Sequence, residues 1–204
     1  MVKPIERDIP NFGAESPSLA STYSEDIIAD AQGSHALLHH TRLLVARDAI
    51  AITKHLLELP DYDRYLRFCG VVSDTAIERL IAQRVVDREH AFIGYGIGGL
   101  LIGVAQLARP EPSTFDWELA ISVDPGYRRL GVASRLVLEA TSFTSNKNSS
   151  LYISTLSENK PMISLAKKSG FKLHLTNQSV SGQLQVVDKV AVPVPDPEFG
   201  LHQR

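Results

Sequence analysis

Between Thr41 and Val190 the apolar residues recur with two different periods, and the changes of period mark out the predicted elements. Residues two apart share a strand face, and residues three or four apart share a helix face. Leu43 to Ala46 is a short apolar run that predicts a first strand; Asp48 then opens a helix that continues to about Leu57 and ends at Pro60. Thr75-Ala76-Ile77-Glu78 has the spacing of a capping box, and Ile77, Leu80, Ile81 and Val85 extend it into a second helix ending near Asp87. Ala91–Ile97 and Leu100–Leu107 are apolar runs separated by Gly98-Gly99, the signal for a two-residue hairpin. Trp117, Leu119, Ile121 and Val123 alternate with Glu118, Ala120 and Ser122, which predicts a fourth strand with two unlike faces. Asp124-Pro125-Gly126 breaks that strand, and Ala133, Leu136, Val137 and Ala140 follow at helical spacing. Leu151–Thr155 is a fifth strand. A helix from about Lys160 to Ser169 carries Met162, Leu165 and Ala166 on one face and stops at Gly170, and Phe171–Leu175 and Leu184–Val190 give two more strands.

The resulting order, β-α-α-β-β-β-α-β-α-β-β, is that of an α/β (α+β) chain with about seven strands. Its middle β-α-β crossover is expected to be right-handed, making the fourth and fifth strands parallel. Residues 1–40 are rich in Ser, Ala, Pro and Asp with weak periodicity and read as an extension of uncertain order; residues 41–192 form the domain, and 193–204 are a Pro-rich surface tail. The 44% hydrophobic and 22% charged residues of this 204-residue chain are an average soluble balance, and no apolar run approaches the ~20 residues that span a bilayer. MVKPIERDIPNF has no apolar core after its charges, which argues against a secretory signal and for the cytoplasm. The net charge of −2 is interspersed, with no stripe for nucleic acid or membrane surface, and a homodimer is left open.

Several candidate chemistries are set aside. Cys69 is the one cysteine, so intramolecular disulfides and thiolate metal clusters are excluded, and Leu66-Arg67-Phe68-Cys69 places it as a small apolar filler. His39 and His40 are adjacent and point apart on any regular element, a poor ligand pair; no metal is expected. Gly94, Gly96 and Gly99 have something of a dinucleotide fingerprint, but a strand and not a helix follows them.

The informative segment is Asp124-Pro125-Gly126-Tyr127-Arg128-Arg129-Leu130-Gly131-Val132-Ala133-Ser134. A helix N-terminus has backbone N–H groups without intrahelical partners and a partial positive charge, so a phosphate there gains hydrogen bonds and dipole stabilisation together. Gly131 and Ala133 let the backbone come close to an anion, and Arg128 and Arg129 add charge; the alternative is an ordinary strand-to-helix turn with two solvated arginines. VDPGYRRLGVASRLV resembles motif A of the GCN5-related N-acetyltransferases (GNAT), and SENKPMISLAKKSGFK resembles their motif B, in the expected order and separation. The resemblance covers about Thr41 to Val190. It implies a GNAT fold, a mixed central sheet with helices on both faces whose fourth and fifth strands splay. It also implies acetyl-CoA as co-substrate, with the pantetheine amides pairing to Ile121 and Val123 like an added strand. By the same matching Arg128, Arg129, Gly131, Val132, Ala133 and Ser134 hold the pyrophosphate and Asn159 touches the pantetheine arm, although Asn159 also reads as a helix cap.

Acetyl transfer to an amine requires loss of an amine proton and usually a donor for the departing thiolate. Glu118 is the candidate base, since it points opposite to Leu119 and Ile121 on the fourth strand; a solvated charge near a strand end is the alternative. The tyrosine that the family often places four residues before the glycine of motif B is here Ala166. Coenzyme A thiolate is a fair leaving group, so water can replace the acid or the acid be dispensable; Ser164 is a weak candidate. DRYLRF (Asp63–Phe68), DREHAFIG (Asp87–Gly94) and WELAISV (Trp117–Val123) further resemble the acetyltransferase domain of bacterial protein-lysine acetyltransferases, in which a glutamate on this strand is the base and motif B likewise reads L-A-x-K-x-G-F. The resemblance therefore implies an N-acetyltransferase acting directly on a small amine or a protein lysine. A non-catalytic acyl-CoA-binding regulatory module is the reading from a different class.

Overall fold

The hairpin at Gly98-Gly99 organises the centre of the sheet. Both glycines have positive φ, 55° and 86°, the conformation of a type I′ turn, whose twist suits the flanking strands. In the computed structural model, which describes residues 24–27, 38–110 and 116–184, an eight-stranded mixed sheet runs in the order β1-β2-β3-β4-β5-β6-β8-β7. The strands are β1 (Ser24–Ile27), β2 (Leu38–Leu44), β3 (His90–Ile97), β4 (Leu100–Ala108), β5 (Trp117–Val123), β6 (Leu151–Leu156), β7 (Lys172–Leu175) and β8 (Ser179–Leu184). The helices are α1 (Ala49–Leu57), α2 (Asp61–Phe68), α3 (Asp74–Arg84), α4 (Val132–Ser145) and α5 (Lys160–Lys168). Every neighbouring pair is antiparallel except β5 and β6, which the α4 crossover makes parallel.

Two apolar clusters lie on opposite faces of the sheet. Val132, Leu136, Val137 and Ala140 of α4 and Ala166 of α5 pack on Ile93, Tyr95, Leu119 and Ile153. Ile52 and Leu56 of α1 and Ile77 and Ile81 of α3 pack on Leu44, Phe92 and Val104. A β-bulge, where the pairing slips from Tyr95↔Gly103 to Gly96↔Leu101, lets β4 contribute to both clusters. Beyond it Gly103 faces α4, where an added Cβ would lie 2.8 Å from Val132 Cγ1. This close approach seats the first turn of α4 against the sheet beside the end of β5.

The structure revises several predicted elements. The first predicted strand is longer and earlier, Leu38–Leu44 in place of Leu43–Ala46, and Ala46–Asp48 is a 3-10 turn. Its first residues, Leu-His-His-Thr, give no apolar alternation to read. The helix α2 was not predicted, because Pro60 was read only as a stop. Pro60 also serves as the N-cap of α2, with ψ 148°, and Asp61 and Asp63 favour its first turn. Cys69, expected as a buried filler, is exposed and ends α2 in a left-handed conformation. The α3 cap is Ser73, whose hydroxyl accepts from Ala76 N at 3.3 Å, and not Thr75 with Glu78. The last strand is Ser179–Leu184, two registers of Ser, Gly and Gln around buried Val180; most of the predicted Leu184–Val190 lies outside the described residues. No helix among the described residues is long and apolar enough to cross a membrane.

Candidate active site

The gap between β5 and β6 defines the site. Their pairing consists of two rungs, Trp117↔Leu151 and Glu118↔Tyr152, although β5 continues to Val123 and β6 to Leu156. Trp117 N bonds Ser150 O on the β6 side at 3.0 Å, and Asp124 N bonds Ile102 O on the β4 side at 2.9 Å. Backbone direction alternates along a strand, so Ile121 and Val123 turn their N–H and C=O groups into the gap. The Val123 carbonyl accepts from Arg128 Nε at 3.3 Å.

At the end of the gap sits the N-terminus of α4. Gly131, with φ 85°, is its N-cap; no side chain caps the turn and no acidic residue lies in it. The first N–H groups, around Val132, Ala133 and Ser134, are thus left for an external acceptor. A Cβ built on Gly131 meets nothing within 4 Å, so glycine is used here for its backbone angle and for open space in front of the turn. Arg129 also has a positive φ, 65°. Arg128 and Arg129 flank the turn as expected, and both are exposed; Arg128 is also ion-paired, its Nη2 2.7 Å from Asp63 Oδ2 of α2. The turn therefore fits a pyrophosphate in shape, in dipole and in donor count.

Asn159 caps α5. Its Oδ1 accepts from Met162 N at 3.2 Å, and its Nδ2 donates to Thr155 Oγ1 at 2.9 Å. Its helix-cap role is what the side chain performs, and one Nδ2 hydrogen is left to face a ligand. Ala166 is 1% exposed in the α4 side of the core, so no acid can act from that position, and Ser164 is exposed.

Glu118 is half-buried on the opposite face, with Ala120 and Ser122, under α1 and α2. Three neighbours there were not read from the sequence. His55 of α1 is buried, with Nε2 2.9 Å from Ser122 Oγ; burial, opposed by Asp124, pushes its pKa down from 6.5 to about 4. Arg67 of α2 donates from Nη2 to Gln106 Oε1 at 2.7 Å. Burial, helped by Arg84, pushes the Arg67 pKa down to about 10, while Cys69 and Glu118 pull the other way. Arg67 falls within DRYLRF, but that resemblance gives it no role; His55 and Gln106 lie in no motif, and a helical Arg or His carries no local signal of what it packs on. The Glu158 carboxylate, in the loop after β6, raises the phenol pKa of Tyr65 on α2. Through Asp63–Arg128 and Tyr65–Glu158, α2 touches the loops that follow both β5 and β6, the two lips of the gap.

A mixed sheet that parts after one parallel crossover, beside an uncapped glycine-led helix, defines a class of acyl-CoA-handling folds. The sequence model of the acetyltransferase (GNAT) family matches residues 58–171, and the chain belongs to that family. It is accordingly an acyltransferase that uses acetyl-CoA. The fold is similar to the GNAT domain of S. lividans PAT at a TM-score of 0.66 and 17% identity, over 84% of this chain and 100% of that one. A putative acetyltransferase from Salmonella typhimurium solved with its cofactor acetyl-CoA matches at a TM-score of 0.58 and 16% identity, over 78% and 98%. A Salmonella typhimurium acetyltransferase that modifies the N-terminal serine of ribosomal protein L7/L12 matches at 0.59 and 11%, over 73% and 95%.

Proposed function

We propose that this chain transfers the acetyl group of acetyl-CoA directly to a primary amine, with Glu118 as the base. The observation that carries the proposal is the division of labour across β5. Its odd-numbered backbone groups open into the gap beside the uncapped α4 turn, and its even-numbered side chains, Glu118 among them, face the helices α1 and α2 on the other side. Donor and acceptor can therefore meet from opposite faces at one strand.

In this reading Ile121 and Val123 pair with the pantetheine amides. Arg128, Arg129, Gly131, Val132, Ala133 and Ser134 hold the pyrophosphate, with Arg128 exchanging Asp63 for phosphate oxygens, and Asn159 fixes the loop against the pantetheine arm. Glu118 accepts a proton from the amine, directly or through one water. The nitrogen lone pair forms the new N–C bond, the C–S bond breaks with its electrons on sulfur, and the thiolate takes its proton from water. Backbone N–H groups of β5 steady the charge that develops on the carbonyl oxygen. The half-buried setting of Glu118, next to the Arg67 guanidinium, supports its being more than a solvated strand-end charge. A cytoplasmic protein, as a monomer or a homodimer, accords with the single cysteine and the mixed surface charge.

The test is thiol release from acetyl-CoA against small amines and lysine peptides, run beside Glu118→Gln. The variant is expected to lose roughly 10²- to 10⁴-fold in turnover while binding acetyl-CoA as the parent does. Equal turnover removes Glu118 from the mechanism, and the absence of turnover with any amine by the parent removes the direct-transfer reading.

A further inference from the structure

Two buried donors beside Glu118 have no acceptor. Arg67 Nη2 bonds Gln106 Oε1 at 2.7 Å, which fixes the amide: with Oε1 accepting, Nε2 must point its hydrogens elsewhere. Arg67 Nε and Gln106 Nε2 are both sealed from solvent without a hydrogen-bond partner. A buried N–H left unmet costs more than an ordinary hydrogen bond returns, and a charged one more still, so two on adjacent, mutually bonded side chains point to a ligand and not to stability. Their place in the sheet is defined. Gln106 stands beside Ala120 and Ala108 beside Glu118 in the β4–β5 register, which makes Gln106 and Glu118 diagonal neighbours on one face, roughly 7–8 Å apart at the backbone. Arg67 crosses above them from α2.

The chemistry of this pair is selective. Both free groups donate and one belongs to a cation, so their complement is an oxygen acceptor with negative charge. The neighbouring Glu118, on the reading proposed above, receives the amine. We infer that Arg67 Nε and Gln106 Nε2 form a carboxylate subsite, so that the acceptor is an amino-carboxylate: a small molecule whose primary amine lies a few bonds from a carboxylate, as in a free amino acid. A lysine side chain in a polypeptide brings no oxygen near its amine, and its ammonium would face the guanidinium unscreened. The same guanidinium favours the neutral form of a bound amine, the form that attacks. Entry runs past α2. None of its side chains is fully buried; Phe68 at its end packs on the α1–α3 cluster, and its other ties include the ion pairs Arg64–Asp74 and Asp63–Arg128, fewer apolar anchors than the core helices have and so a lower cost of local opening.

The experiment measures thiol release from acetyl-CoA with matched acceptors: free amino acids, their carboxamides, the corresponding decarboxylated amines, and an end-blocked lysine peptide. The enzyme forms are the parent, Arg67→Met, Arg67→Lys and Gln106→Leu. The carboxylate member of each set should be used at least tenfold better in kcat/KM than its amide or decarboxylated partner, and the lysine peptide least well. Arg67→Met should erase that preference by raising the acceptor KM while leaving the acetyl-CoA KM unchanged, and Arg67→Lys should restore part of it. Gln106→Leu should weaken the preference if Arg67→Met proves unfoldable. Equal use of the matched acceptors, or a preference that survives in both Arg67→Met and Gln106→Leu, overturns the subsite. Calorimetry of amino acids binding to the coenzyme A complex separates the two levels. Binding that depends on Arg67 without turnover keeps the subsite and removes the transferase reading. Turnover of all amines alike keeps the transferase and removes the subsite, and absence of both binding and turnover removes both.

Discussion

His55 ties the strand that lines the gap to the helix α1, and its burial makes that tie sensitive to acid. The ring is 6% exposed and sits 2.9 Å from Ser122 Oγ. Burial is the main reason its pKa falls to about 4 from 6.5, with Arg67 lowering it further and Asp124 and the Leu101 and Ser122 backbone opposing. The folded ring is neutral above about pH 4, whereas the unfolded ring takes up a proton near pH 6.5. Between those values the unfolded chain holds more protons, so stability rises with pH across that window and is lost as the pH falls through it. A pKa that falls from 6.5 to about 4 corresponds to roughly 3 kcal/mol when fully expressed, and to roughly 2 kcal/mol between pH 7 and pH 4.5. The perturbation is His55→Gln, which keeps an amide near Ser122 but does not titrate. Urea unfolding of both proteins at the two pH values gives the comparison, since acid effects on carboxylates are common to both and cancel. The parent should lose roughly 2 kcal/mol more than the variant on acidification. Equal losses, to within about 0.5 kcal/mol, would refute the argument that His55 is held neutral by burial.

Gly131→Ala should cost only about 1–2 kcal/mol in chemical denaturation, because the left-handed backbone strains any Cβ while the space around it is open. Gly131→Glu should in addition weaken acetyl-CoA binding at least tenfold, about 1.4 kcal/mol in calorimetry, and normal affinity would show that the α4 turn is not the phosphate site. Gly103→Val should be worse for the fold, since even its Cβ would lie 2.8 Å from Val132 Cγ1 and 3.1 Å from Leu136 Cδ1. A loss of about 1–3 kcal/mol from overpacking should come with weaker acetyl-CoA binding, because Val132 is the first residue of α4.

The fold around the candidate donor site was legible because it is local. The strand Trp117–Val123, the turn to Gly131 and the helix after it are one continuous stretch. A period-2 pattern, a Pro-Gly break and a period-3.6 pattern locate backbone groups without knowledge of any side-chain contact. The hairpin at Gly98-Gly99 and the helix α5 were readable for the same reason. The acceptor half was not, because its parts are far apart in sequence and close only in space: His55 meets Ser122 across 67 positions and Arg67 meets Gln106 across 39. The helix that carries Arg67 was itself hidden. Tyr62, Tyr65 and Leu66 do recur at helical spacing, but only over eight residues with no fully buried side chain, and Pro60 looks like an end while it is also a beginning. Asn159 carries both of its readings from sequence: motif matching places it at the cofactor arm, and its spacing to Met162 makes it the helix cap that the structure shows.

The register of β5 is what makes these assignments hang together. Its odd positions send side chains into the α4 core, as buried Trp117 and Leu119 show, and turn their backbone groups toward β6. Its even positions send Glu118 and Ser122 toward α1 and α2 and turn their backbone groups toward β4. A slip of one residue would bury the Glu118 carboxylate among Leu136, Ala140 and Ile153, and would expose Leu119 in its place. The cost of burying that charge exceeds anything the cleft could return, so selection for the core and selection for the site act on the same alternation. The bulge at Ile102 works to the same end. By placing Gly103 under Val132 it brings the α4 turn against the end of β5, so that the uncapped turn and the strand that carries Glu118 are held in one register by packing and not by the loop between them.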